Sequence, residues 1–261
     1  MATRRSNKRK QRDRGRFGAL YKIFSLIIIL VVVAAGCVVF FRVETITVDG
    51  EERYTAAEVT AASGVEQGDN LFLLDRLGIA RRIMAELPYV STVQVTRRLP
   101  DTLELTVTEY DVTYAAQGAD GASYLITADG KITEKIDETA ARGHIAVTGL
   151  QLADPVVGQQ LTVAGDDDVA AQGQHDALCA LLQALEEAGL TKKAASVAVP
   201  SSYELSFWYG DQYEVKLGNS ENLPYKLAYL EKVLESLADY QTGTIDLSFS
   251  EGSEARFTPK Q

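Results

Sequence analysis

Apolar and polar positions recur along this chain with three different rhythms, and each change of rhythm marks a new part. From residue 23 to 41 there is no alternation at all: IFSLIIILVVVAAGCVVFF holds no charge and is bracketed by Lys22 and Arg42. Nineteen residues rising ~1.5 Å each make a helix of about 28 Å, close to the ~30 Å hydrocarbon core of a bilayer. The run is expected to be an uncleaved membrane anchor. A cleaved signal peptide has an apolar centre of ~7 to 15 residues and ends at a small-x-small site. This run ends in the bulky VVFFRVE, and its small residues, Ala34, Ala35 and Gly36, lie inside it.

Beyond Arg42 the period becomes two, then about 3.6, then two again. VETITV (43–48) alternates as a half-buried strand does, and Asp49-Gly50 supplies a turn. Thr55 followed by Glu58 has the spacing of a capping box, and Gly64 closes the short helix that it starts. The loop VEQGDNLFLLD leads to a second helix over 76–86, with Leu77, Ala80, Ile83, Met84 and Leu87 along one side and Pro88 as its stop. VSTVQVTRR (90–98), a turn at 99–102 and LELTVTE (103–109) read as a hairpin. The predicted order for 43–109 is β-α-α-β-β.

From 110 onward short alternating segments take over. Strands are expected at 112–116, 123–127 and 131–136, with turns at Asp120-Gly121 and Asp129-Gly130, and a further one at 144–148. Residues 149–173, rich in Gly, Asp, Gln and Ala, read as a loop. A helix over 174–190 has Leu178, Leu181, Leu182 and Leu185 on one face and Gly189 near its end. Strands follow at 196–199, 203–209 and 213–217. A helix over 224–238 with Leu227, Leu230, Leu234 and Leu237 at helical spacing comes next. The strand TIDLSF (244–249) precedes a short polar tail, 250–261.

Charge divides the chain at the apolar run. The first 22 residues hold nine Lys or Arg against Asp13, a net +8, so in a chain of net −10 the remainder carries −18. Basic flanks stay on the cytoplasmic side, which predicts a cytoplasmic tail (1–22), a span (23–41) and an acidic body outside. An acidic body excludes nucleic acid as a ligand, because phosphate binding needs clustered Lys and Arg. The basic tail against a span suits orientation and anionic lipid. Cys37 lies in the span and Cys179 far from it, so no intramolecular disulfide is expected. Neither His144 nor His175 belongs to a metal-ligand motif, and G-x-S-x-G and phosphate-loop patterns are absent. Asp166, Asp167 and Asp168 lack the alternating ligands of a calcium loop and read as a wet loop. No catalytic, metal or cofactor site is expected, and the chain is read as a non-enzyme. What remains is recognition through sheet edges, whose unpaired N–H and C=O groups accept a partner strand.

The hairpin pattern V-x-x-V-x-V-x-R-x-x-P-x-x-L-x-L-x-V-x-E is held by Val90, Val93, Val95, Arg97, Pro100, Leu103, Leu105, Val107 and Glu109. Preceded by GDNLFLLD and by VETITVDG directly after the span, it resembles the POTRA domain of the bacterial division proteins FtsQ and DivIB. The second half, with YLITADGKI, V-K-L-G, the K-L-x-x-L helix at 226–230 and the closing IDLSF, is similar to the β domain of that family. The resemblance implies an α+β chain: tail, transmembrane helix, POTRA domain (43–109), a mixed β-sheet domain with flanking helices (110–249) and the polar tail. It further implies a single-pass, type II divisome scaffold at the septum of the bacterial cell membrane. Such a protein would hold the small coiled-coil proteins FtsL and FtsB, or FtsL and DivIC, and through them act on the septal peptidoglycan synthase. The expected partner surface is Thr244, Ile245, Asp246, Leu247, Ser248 and Phe249, with Tyr225 and Tyr229 on the preceding helix; POTRA edge strands are a second docking candidate. The alternative, a POTRA-bearing transport or secretion component, would call for several POTRA repeats and a barrel, which this sequence lacks.

Overall fold

The computed structural model describes residues 15–111, 113–238, 241–248 and 255–259, with side chains from residue 21 on, except at 38. The basic stretch 1–14, Phe249 and residues 250–254 lie outside the described residues. Helix α1 (Gly15–Phe40) takes up most of the apolar run. Its side chains at Ile23, Phe24, Leu26, Ile27, Val39 and Phe40, and those from Ile28 to Val33, are exposed. Among the described residues no helix is long and apolar enough to cross a membrane, so the expected span is not shown by the structure.

The next segment forms β1 (Thr45–Asp49), α2 (Ala56–Ser63), α3 (Arg76–Glu86), β2 (Val90–Arg98) and β3 (Thr102–Glu109). This is the β-α-α-β-β order that the periodicity predicts. The three strands make a sheet ordered β1-β3-β2, with β1 parallel and β2 antiparallel to β3. Thr55 caps α2 as the spacing demands: its hydroxyl accepts the Glu58 N–H, and the Glu58 carboxylate accepts the Thr55 N–H at 2.8 Å. Val59, Ile79, Ile83, Leu103 and Leu105 meet in the core between helices and sheet.

Two polar residues of the hairpin pattern prove to be backbone fasteners. The Arg97 guanidinium donates to the Leu74 carbonyl at 2.8 Å and so pins the loop before α3. The Glu109 carboxylate accepts the N–H groups of Glu52, Arg53 and Tyr54 at 3.2, 2.9 and 3.3 Å. Those donors would otherwise face the turn without partners.

The remaining elements are β4 (Tyr114–Gly118), β5 (Ser123–Ile126), β6 (Ile132–Ile136), α4 (Glu138–Ala141), β7 (Ile145–Leu152), α5 (Asp168–Glu187), β8 (Ala194–Ser201), β9 (Glu204–Tyr209), β10 (Tyr213–Gly218), α6 (Leu223–Ser236), β11 (Gly243–Asp246) and β12 (Arg256–Pro259). Nine strands form one mixed sheet in the order β12-β11-β10-β9-β8-β7-β4-β5-β6. The leucines of α5 and α6 pack with Val197, Phe207, Val215 and Ile245 of the sheet.

Four details depart from the sequence reading. Helix α5 begins at Asp168 rather than 174, because the Asp167 carboxylate accepts the Val169 and Ala170 N–H groups and starts it early. Gly173, which reads as a loop residue, sits inside that helix. Strand β7 runs to Leu152, where it pairs with Gly118 of β4 after a register shift and bridges to Val163; Gly149, at φ +83°, lies so close to Pro200 that a Cβ would stand 2.7 Å from its nitrogen. Within the region read as a polar tail, β12 is a strand paired antiparallel with β11.

The two folded parts are joined by specific contacts. The Lys131 ammonium, buried at 7% exposure, donates to the carbonyls of Met84 at 2.6 Å and Val90 at 3.3 Å. The Tyr89 hydroxyl donates to Glu134 at 2.5 Å, while Arg53 of Tyr89's own domain lies 4.0 Å from its ring centroid. Tyr110 reaches Asp129 at 2.6 Å.

Candidate functional site

At one end of the large sheet the chain builds an open edge from its last two described strands. Strand β10 leads through α6 into β11, which lies parallel to β10 with Val215 opposite Ile245. Strand β12 then folds back along the free side of β11, with Ile245 opposite Phe257 and Thr244 opposite Thr258. Phe257 is half-buried, and its ring meets Tyr213 edge-on at 6.2 Å. Gly243 makes the approach possible, since a Cβ there would stand 2.2 Å from the Thr258 carbonyl oxygen. Among the described residues nothing pairs with the outer side of β12.

A charge ladder sets the register of this end. Lys216, Asp246 and Arg256 stand opposite one another on β10, β11 and β12, an alternation that favours this pairing over a slipped one. Burial pushes the Asp246 carboxyl up, but the Ser248 hydroxyl and N–H, at 2.6 and 2.9 Å, together with Lys216 and Arg256, outweigh it and hold the group below the ordinary carboxylate range. Behind it, Lys226 is buried at 3% exposure and donates to the Leu217 and Asn219 carbonyls at 2.6 and 3.0 Å, tying α6 to the end of β10.

The residues expected to form the partner surface take different places in the structure. Thr244, Ile245 and Asp246 form an interior strand, covered on its free side by β12. Ile245 and Leu247 are fully buried, Thr244 and Asp246 half-buried, and Ser248 exposed; Phe249 lies outside the described residues. On α6, Tyr225 is exposed and stacks on half-buried Tyr229 with ring centroids 6.3 Å apart. Sequence rhythm misses the open strand because its run is four residues long and follows a polar stretch. The alternation of Arg256, Phe257 and Thr258, ended by Pro259, is the available signal, since proline within sheets suits edges.

The opposite edge, β6, is covered at its start. Ile132 N–H donates to the Gln159 carbonyl at 2.9 Å, and Gly158 N–H to the Ile132 carbonyl at 2.8 Å, so the loop after β7 covers the start of β6, at Lys131 and Ile132.

One cluster has the outline of a nucleophile. His175 Nε2 lies 3.8 Å from the Cys179 sulfur, while its Nδ1 is 2.9 Å from an Asp176 oxygen. Burial, helped by the charges of Asp129 and Asp176, pushes the thiol up to about 11, so it stays protonated at neutral pH, the opposite of a catalytic cysteine. His144 pairs with the Thr113 hydroxyl at 3.2 Å. Among the described residues no three His, Cys, Asp or Glu side chains are grouped to hold a metal ion.

These features define an α+β protein in which a three-stranded domain and a nine-stranded domain follow an N-terminal helix. Residues 41–110 match the family described as POTRA domain, FtsQ-type, and residues 114–248 match the one described as Cell division protein FtsQ/DivIB, C-terminal. The cell division protein FtsQ of Corynebacterium glutamicum is 29% identical over 215 residues, covering 80% of this chain and 87% of that protein. The cell division protein DivIB of Clostridium botulinum is 22% identical over 258 residues, covering 96% and 94%. The FtsQ of Streptomyces venezuelae is 41% identical over 70 residues, 27% of this chain and 26% of its own. The chain belongs to the FtsQ/DivIB family of cell division proteins.

Proposed function

We propose that this chain is a non-enzymatic, single-pass scaffold of the divisome that docks small coiled-coil division proteins, FtsL with DivIC or FtsB, outside the membrane. Through them it helps recruit or regulate septal peptidoglycan synthesis. The observation that carries this reading is the outer side of β12, a strand edge with backbone donors and acceptors open to strand addition. Thr244 to Ser248 then act from beneath, by holding β12, while Tyr225 and Tyr229 offer side-chain contacts on α6.

The anchor belongs to the same proposal. It is supported by the uncharged run 23–41, by the 26-residue length of α1 and by the exposure of its Ile, Leu and Val side chains. The positive tail would stay in the cytoplasm and the acidic domains would face outward, at the septum. In this reading the division is tail 1–22, span 23–41, POTRA domain 43–109, β domain 110–249 and tail 250–261, with the tail contributing the docking strand.

The test is co-purification of the full chain with its host's FtsL and DivIC, against a Gly243→Val variant. A valine Cβ displaces β12 while leaving β10 and β11 paired, so the complex should be lost with the rest of the fold intact. An unchanged complex moves the interface away from β12; no complex with the native chain removes the docking role.

A further inference from the structure

The domain that follows α1 has a membrane end and a far end, and its exposed apolar side chains gather at the first. Chain direction defines the ends. Strand β1 leaves α1, and β3 runs parallel to it, so the β2–β3 turn at Leu99 returns to the α1 side. The loop before α3 lies there too: Leu71 N–H donates to the Phe41 carbonyl at 3.0 Å, and the Phe72 and Phe41 rings meet at 5.0 Å. The carbonyls of Met84 and Val90, which receive Lys131, mark the other end.

At the α1 end Phe72, Leu73, Leu77 and Leu99 are 48, 76, 75 and 57% exposed. None of the four is in the domain core. Arg42 and Arg76 share this end and form no ion pair among the described residues. Asp69 and Asp101 engage the Glu66 N–H and the Thr102 hydroxyl. Glu44 and Asp75 are also here, so the charge of this end is mixed, and its exposed apolar groups are what a lipid surface would take up.

We infer that this end of the POTRA domain rests in the outer face of the bilayer, with Phe72, Leu73, Leu77 and Leu99 in the interfacial layer. The occupant is a lipid surface because the apolar groups continue directly from the end of α1 through Phe41. The inference rests on the proposed anchor. Its consequence is a domain that stands on the membrane in one orientation instead of swinging from it.

The sole tryptophan, Trp208, lies on β9 in the large sheet and serves as the distant reference. The full chain is reconstituted in phosphatidylethanolamine–phosphatidylglycerol vesicles containing lipids brominated high in the acyl chain. Three chains are compared: the native one, Trp208→Phe with Leu30→Trp in the span, and Trp208→Phe with Leu77→Trp. Leu30 and Leu77 are exposed, so both variants keep the fold. Expected are quenching and a blue shift for Leu30→Trp and for Leu77→Trp, and neither for native Trp208. Adding Leu73→Asp and Leu99→Asp to the Leu77→Trp chain should return its emission toward that of Trp208. Quenching of Leu30→Trp without Leu77→Trp overturns the inference and leaves the anchor standing; quenching of neither overturns both.

Discussion

Lys131 shows how one side chain can be structural at a distance from its own element. Its ammonium is buried between the domains and supplies donors to the Met84 and Val90 carbonyls, which end α3 and begin β2. Burial pushes the group down from the usual lysine range, with Asp129 opposing the effect. Lys131→Met keeps the volume and removes the donors. We expect it to lower stability by about 1–3 kcal/mol in urea titration, the usual cost of leaving buried acceptors unmet. Asp246 makes a pH prediction. Its folded value lies below the ordinary 3.8, so its contribution is present above that pH and is lost as pH falls through the folded value. Urea midpoints measured between about pH 5 and pH 2 should therefore decline less steeply for Asp246→Asn than for the native chain. Arg97 and Glu109 are legible in the sequence as pattern members, but their work is not. Only the folded turn brings Leu74 to the guanidinium and residues 52–54 to the carboxylate.

Among the elements, those with a strong local rhythm or a cap are readable from sequence. Helix α2 has its capping box, α3 its apolar stripe and proline stop, and β2 and β3 their alternation. Strand β12 has only four residues and no flanking turn signal, and its stability comes from β11, Phe257 against Tyr213, and the Lys216–Asp246–Arg256 ladder. A segment that is a strand because of its neighbour leaves little mark on its own sequence. The consequence can be tested by hydrogen exchange. In Gly243→Val the amides of 256–258 should lose protection while those of β9 and β10 keep theirs; equal protection in both proteins would mean that the Gly243–Thr258 approach does not hold β12 in place.

For the molecule as a whole, the contacts of Lys131, Tyr89 and Tyr110 tie the domain that carries the proposed bilayer contact to the one that carries the open edge of β12. Burial raises the Tyr89 hydroxyl to about 12, with Glu134 adding to the effect, so the bond between them persists through neutral pH. Combining Lys131→Met with Tyr89→Phe should uncouple the domains: amides at 87–90 and 132–136 should exchange faster while those of β8 to β10 do not change. The chain's order of parts, the apolar run, the β-α-α-β-β domain and the family pattern were set by sequence alone, because periodicity, caps and turn residues act over a few neighbouring positions. Which strand ends the large sheet, which lysine joins the domains and which leucines stay uncovered were decided by tertiary structure. Each depends on backbone groups brought together from far apart in the chain, and no local rhythm encodes those meetings.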